Sequence, residues 1–587
     1  MRNTLFFVLV AGLLGTVVAA DPPGVIVIRP KTPEYTSSSA PIQRPVVTHT
    51  DPHRPGFVIV RPQKPTDTAV LVNPPAEPKA EPKPEPKADP KPEPKADPKE
   101  DGKVVLETWD AVYLKGLKVG HFRVVVREYE RDGKKFLYAT KTQLLTIARF
   151  GERVEQWAED ATMELPTGEV LTTRMAQGIG KDQKLSLTGT VSGKKLTVKI
   201  EGAAGGTQDV PWPDGVLGVA KEATLLKDRK PKPGDSFDYL YYEGRLNRAI
   251  KFTVTVKEPE EVTLEGQKPR KLGRAEMAMD PIGTFRLPPS TVFYDLDTFE
   301  PAKLESDVPT LGGKMVVVRT TKEVALRAPG KVPDLFDVQS IKLDQPIPRV
   351  HDLAGVVYRV KSSGDAPADK LFPADARQEL RNFDPAAKTV ELAVTAVRGP
   401  AKVPNPVADP GKEFLGTSFF IDWDNDDVKR HAKAAVAGLR SDSAWDKARA
   451  VEAWVNRNMK ATEFSQAMAS CANVAKSLSG DCTEYAMLSA GMCRALGVPS
   501  RTAIGLVYAP ARDGKPFLAY HMWFEVSVDG QWVALDATLG RGSVGPGHIK
   551  ITDASWHEEK SFAPLLPVLG VLGANPKVDV LKVVEPR

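Results

Sequence analysis

Apolar and polar residues alternate with a period of two along most of the stretch from Lys103 to about Gly330. Val119–Glu130 and Lys135–Ile147 flank Arg131-Asp132-Gly133-Lys134, and an Asp-Gly pair between two alternating runs signals a hairpin. Leu196, Val198 and Ile200 are spaced by Thr197 and Lys199, and Ile250, Phe252, Val254 and Val256 repeat the rhythm. One apolar and one polar face per strand predicts an antiparallel sheet covered on one side. Residues 331–410 carry weaker strand patterns at Val356–Val360 and Thr389–Val394, a smaller β-containing connecting segment.

The period changes near Asp424, where helices begin. Ser443 with Asp446 three residues on reads as a capping pattern, and Ala444, Ala448, Val451 and Val455 share one face of the helix that follows. From Cys482 to Leu496 the apolar residues Ala486, Met487, Ala490, Met492, Cys493 and Leu496 cover most of the circumference, which predicts a buried helix. Gly497 and Pro499 stop it. Arg501–Tyr508, Leu518–Val528 and Trp532–Asp536 read as strands, the last two joined through Asp529-Gly530, and Ala509–Pro516 reads as a polar loop.

The flanks are of another kind. Residues 1–20 have Arg2, an apolar run from Leu5 to Val18 and then small residues, the pattern of a signal peptide, so the chain is expected to be exported to the periplasm or the extracellular space. Residues 21–102 form a Pro/Glu/Lys-rich linker with Glu-Pro-Lys and Asp-Pro-Lys repeats that deny both helix and core, and disorder is expected. No second stretch is long enough to span a bilayer. Lys and Arg total 80 against 75 Asp and Glu, without the clustered basic face of a nucleic-acid binder. The three cysteines, Cys471, Cys482 and Cys493, are too few for a disulfide scaffold; Cys471 and Cys493 read as packing residues that either pair or stay apart.

Chemistry concentrates in the last quarter of the chain. Gly480 allows a sharp entry into the helix at Cys482, where the positive helix end favours thiolate and backbone amides can serve an oxyanion. His521 and Asp536 fall on neighbouring strands, within reach of each other across the ladder. Asp481 and Glu484 read as local caps. His121 and His431 read as structural, and His548 and His557 as loop or rim residues. Trp109, Tyr113, Trp157 and Tyr239–Tyr242 read as core in the first instance. Asp422–Asp427 fails as a calcium loop, since Asp427 and Lys433 stand where glycine and glutamate are required. No histidine or cysteine pair stands at local ligand spacing, so no metal and no cofactor is expected.

Gly480-Asp481-Cys482-Thr483-Glu484, Cys493–Arg501, His521-Met522-Trp523 and Leu535-Asp536-Ala537-Thr538 together resemble the bacterial transglutaminase-like family of the papain-like cysteine-enzyme superfamily. The resemblance covers roughly residues 411–560. It implies an α+β fold with a papain-like catalytic domain at 411–587, behind a β-rich domain at 103–330. It also implies Cys482 as nucleophile, His521 as general base and acid, and Asp536 as the residue that orients His521. No oxyanion-hole side chain carries over, although Trp454 lies upstream. The expected activity is on amide bonds of a protein or peptide through a thioester. Hydrolysis is the first choice, with glutamine transamidation and a non-catalytic binding module as alternatives.

Overall fold

The computed structural model describes residues 102–586, apart from 150–151, 180–184, 202–205, 265, 284, 309–310, 336–339, 365, 401–408, 462–468, 513–514 and 558–560. The leader expected at 1–20, and all but the last residue of the linker expected at 21–102, lie outside the described residues.

The alternating region is one fifteen-stranded sheet. Strand β1 (Lys103–Leu114) opens a run of eight neighbouring strands that ends with β2 (Gly206–Pro211). The second edge is β3 (Val216–Leu217), and β4 (Gly313–Thr320) closes the order against β1, with Trp109 opposite Thr320 and Leu114 opposite Met315. Consecutive in sequence, β2 and β3 stand at opposite edges. Val210, Trp212 and Val216 from the two edges nevertheless pack in one cluster with Met175, Leu196 and Val198. A strongly twisted sheet of this width has to curl, and here it curls until its edges share a core. The period-two reading holds: Ile250, Phe252, Val254 and Val256 are all buried, and Tyr239 and Tyr241 join the same core.

Helix α1 (Val219–Arg229) packs on the strands Lys134–Arg149 and Glu152–Glu164. Its first amides are satisfied from the sheet: Thr162 Oγ1 accepts from Val219 N at 2.9 Å, and Glu164 accepts from Ala220 N and Lys221 N at 2.8 and 3.1 Å. Buried charges in this region are paired, as burial demands. Arg245 bonds Glu243 at 2.6 Å and Gln177 at 3.1 Å, and Lys141 lies 3.6 Å from Glu222.

Three further sheets follow among the described residues, one of them only the short parallel pair Lys460–Ala461 and Ser479–Gly480. Strands β5 (Ser340–Lys342), β6 (Gly355–Lys361), β7 (Gln378–Asp384) and β8 (Thr389–Thr395) come from the connecting segment. The helices are α2 (Asp426–Ala435), α3 (Ala444–Asn458), α4 (Cys471–Ser477) and α5 (Cys482–Ala495). The remaining strands are β9 (Ser500–Arg512), β10 (Lys515–Val528), β11 (Gln531–Leu535), β12 (His548–Ala554) and β13 (Lys577–Val584). In the first sheet β10 is paired by β9, β11 and β5, and β9 in turn by β12. The second runs β7-β8-β6-β13. The polar loop expected over Ala509–Pro516 is largely strand: Ala509 still pairs with Phe517, and only residues 513–514 separate the two strands. Helix α5 packs on β10 and is flanked by α2, α3 and α4. Every residue from Cys482 to Arg494 is buried, as its all-round apolar pattern requires.

Candidate active site

The entry into α5 is over-determined. Asp481 accepts from Thr483 N at 2.9 Å while Glu484 accepts from Asp481 N at 3.0 Å, a reciprocal capping box that satisfies the first amides of the helix. Glu484 also accepts from Ala469 N at 3.1 Å, tying the preceding segment to the same turn. Gly480 sits at φ +155°, and a Cβ there would stand 2.4 Å from Glu484 Cβ. Glycine is required by contact as much as by conformation. The cap of α2 is Asn425, which accepts from Asp427 N at 2.9 Å. Asp422 instead serves α4, accepting from Ala472 N at 2.7 Å and Ser470 Oγ at 2.9 Å.

Cys482 therefore occupies the first turn of a buried helix, itself 0 % exposed. The backbone amide of Met522, the residue after His521, donates to its sulfur. Burial pushes the thiol well above its usual pKa, the carboxylates Asp481, Glu484 and Asp536 push the same way, and the Met522 amide opposes them. Burial thus works against the thiolate that the helix start favours.

His521 on β10 bonds through Nε2 to Asp536 Oδ2 at 2.8 Å, and both side chains are buried. The other oxygen, Oδ1, accepts from Thr538 N at 2.9 Å. Burial alone would raise the Asp536 carboxyl, but His521 and His548 outweigh it and hold the group far below the ordinary carboxylate range. His521 Nδ1 is buried without a hydrogen-bond partner among the described residues. The proximity expected of His521 and Asp536 is present, although Asp536 stands one residue past the end of β11, beyond the last cross-strand pair Phe524–Leu535.

His548, expected at the rim, is buried at the start of β12 and bonds Asp536 Oδ2 through Nε2 at 3.0 Å. Burial and the neighbouring His351 hold it uncharged, its pKa lowered to about 3 despite Asp536. The signal that finds it is the alternation His548-Ile549-Lys550-Ile551, which marks a strand rather than a loop. Gly505 explains how the two histidines meet. It lies opposite His521 on one side and in register beside β12 on the other, and a Cβ there would stand 2.0 Å from Ile549 O and 2.8 Å from the Trp523 ring. A bulge falls at this point: Ile504 and Gly505 face Thr552 and Lys550, which leaves Ile551 of β12 as the extra residue.

His521, Asp536 and His548 offer ligand-type atoms within 4.8 Å of one another. The two N–H···O bonds account for that spacing without an ion. Cys471 and Cys493 are buried and form no disulfide. His431 is structural, bonding Ala475 O at 2.9 Å, and Trp454 lies against it with ring centroids 4.8 Å apart. Glu452 on α3 accepts from Gly542 N at 2.8 Å, and burial raises its carboxyl to about 7.

Residues 429–537 match the transglutaminase-like superfamily. Cys482, His521 and Asp536 lie inside that range and His548 lies beyond it. Among solved structures, the chain is 17% identical to a candidate cysteine protease from Cytophaga hutchinsonii, over 39% of this chain and 81% of that one, with a TM-score of 0.24. It is 10% identical to a β-barrel-like protein from Brucella abortus, over 37% and 95%, with a TM-score of 0.28. The periplasmic domain of TgpA from Pseudomonas aeruginosa is 16% identical over 33% and 91%, with a TM-score of 0.19. No curated protein matches this sequence.

Proposed function

We propose that this transglutaminase-like superfamily domain belongs to an exported cysteine enzyme that cleaves amide bonds of a protein or peptide, with Cys482, His521 and Asp536 as its triad. The observation that carries the reading is the convergence on β10: the Met522 amide donates to the Cys482 sulfur, while the adjacent His521 is fixed by Asp536 at 2.8 Å.

The chemistry follows from which atoms are committed. An ionised Asp536 accepts only, so His521 Nε2 carries a proton and Nδ1 keeps its lone pair. As the sulfur attacks the carbonyl carbon, the S–C bond forms and the thiol proton passes to His521 Nδ1. Collapse breaks the C–N bond, and the amine leaves with the proton from Nδ1. Water then attacks the thioester while His521 takes its proton; the S–C bond breaks, the acid is released and the proton returns to sulfur. Burial works against a standing thiolate and favours proton transfer within the attack itself.

The test offers the purified protein a glutamine-containing peptide with excess primary amine and follows both products by mass. Free acid or cleaved peptide, lost in Cys482→Ala, is the expected result. A dominant amine adduct would make the enzyme a transamidase, and no product dependent on Cys482 would remove the enzyme reading.

A further inference from the structure

Asp536 serves two histidines rather than one. Its Oδ2 accepts from His521 Nε2 at 2.8 Å and from His548 Nε2 at 3.0 Å, and the two rings lie 5.8 Å apart. We propose that His548 is a positioning residue for the reaction. By sharing the carboxylate oxygen it fixes where that oxygen stands and limits how hard Asp536 pulls on His521. The inference rests on the cysteine-enzyme reading above.

The arrangement around His548 is built rather than incidental. Its Nδ1 is buried and without a hydrogen-bond partner among the described residues, so its polar connection in the site is the bond to Asp536. The stretch that carries it is held by the connecting segment at several points. Arg377 donates to Gly545 O at 2.9 Å and to His548 O at 3.2 Å, Tyr358 donates to Pro546 O at 3.0 Å, and Gln378 donates to Lys550 O at 3.0 Å. A Cβ on Gly545 would stand 2.4 Å from His351 O, so that turn lies directly on the segment. Trp523 closes one side, its ring 5.2 Å from that of His548. A core histidine needs no such clamp on both its backbone and its turn.

The charged and titratable groups that act on this trio come from several elements. His351, its ring 5.4 Å from that of His548, is flanked by Asp352 and Arg541. Glu452 on α3 and Cys482 on α5 both sense Asp536. With Asp536 ionised, each histidine must donate its Nε2 proton. An acceptor that shares itself between two donors gives less to each. Removing the second donor therefore strengthens the pull on the His521 imidazolium and loosens the carboxylate.

Glutamine places an amide N–H at the position of His548 Nε2, whereas asparagine is too short to reach Asp536. Full-length His548→Gln is expected to stay within about threefold of wild type in kcat, and His548→Asn to lose about tenfold or more, with KM within about twofold; that is the range of a lost hydrogen bond to a charged group. Equal loss in the Gln and Asn variants, or no loss in either, overturns the proposal. The proton resonance of His521 Nε2–H, followed by selective ¹⁵N-histidine labelling, reads the same geometry without turnover. It should move in His548→Asn and return in His548→Gln, and a resonance unmoved in both overturns the proposal even if the wild type shows no Cys482-dependent activity.

Discussion

The curled sheet and the helix–sheet core below it bury polar groups for opposite ends. In the sheet, buried charge is neutralised where it stands: Arg245 by Glu243, Lys141 by Glu222. These pairs hold strands and a helix together and leave nothing to react. Around α5 a thiol, two histidines and one carboxylate are gathered, and the nitrogens His521 Nδ1 and His548 Nδ1 have no hydrogen-bond partner among the described residues. Leaving buried polar atoms unpaired costs stability. Among the described residues, Gln143 Oε1, Gln177 Nε2 and Ser186 Oγ are left unpaired in the sheet as well, so the mark that separates the two regions is the gathering of thiol, imidazoles and carboxylate in one place.

The sharpest way to break this comparison is to remove chemistry without removing structure. Cys482→Ala should abolish turnover, by about three orders of magnitude or more, and leave the unfolding midpoint nearly unchanged. Asp536→Asn should fall by a comparable factor, because the amide no longer enforces the Nε2-protonated tautomer of both histidines. An unfolding curve displaced as far as the activity would show that the site is core and nothing else.

Substitutions that act through packing come next in size. Gly480→Ala forces a Cβ against Glu484 and disturbs the capping box, which should cost about 2–4 kcal/mol in denaturant unfolding and lower activity with it. Leu196→Ala in the sheet, fully buried, should cost a similar 2–5 kcal/mol yet leave kcat per folded molecule intact. If both variants lose kcat alike, the regions are functionally one.

The smallest effect is acid sensitivity. His351 and His548 have folded pKa values lowered to about 4 and about 3, so both remain neutral in the fold at pH values where the unfolded chain binds protons. Unfolded protein then holds more protons, and stability rises with pH. The contribution is fully present above an unfolded histidine value of about 6.5 and is lost as pH falls toward the folded values, at about 1.4 kcal/mol per pH unit for each histidine. His548→Gln should flatten the slope of stability between about pH 6 and pH 4, and an unchanged slope would show that His548 is protonated in the fold.

Much of this was legible along the chain because it is local. The period-two runs, the all-round apolar helix at Cys482–Ala495 and its stop at Gly497 depend on neighbours a few residues away. The order Cys482, His521, Asp536 is read on the same scale. His548 was missed because it follows a turn rich in glycine, Gly540, Gly542, Gly545 and Gly547, whose local message is loop. Its burial comes from Val350, His351, Tyr358 and Arg377, residues far upstream that no window around position 548 contains. The upward push on the thiol was hidden for a similar reason: the helix start favours thiolate, and only the packed surroundings show that burial works against it.

The pairing of β6 with β13 bears on when the site comes into being. Lys361 faces Lys577 and Gly355 faces Val584, so the sheet that grips the turn before His548 is completed by chain made long after β6 has left the ribosome. Contacts of such long separation form late and slowly. A nascent or partly threaded chain already carries Cys482 and His521, yet lacks the strand that steadies the clamp on their supporting carboxylate. Completion of the clamp is thus tied to the order of synthesis, and the frame around Asp536 is finished only once the chain has been made through residue 584.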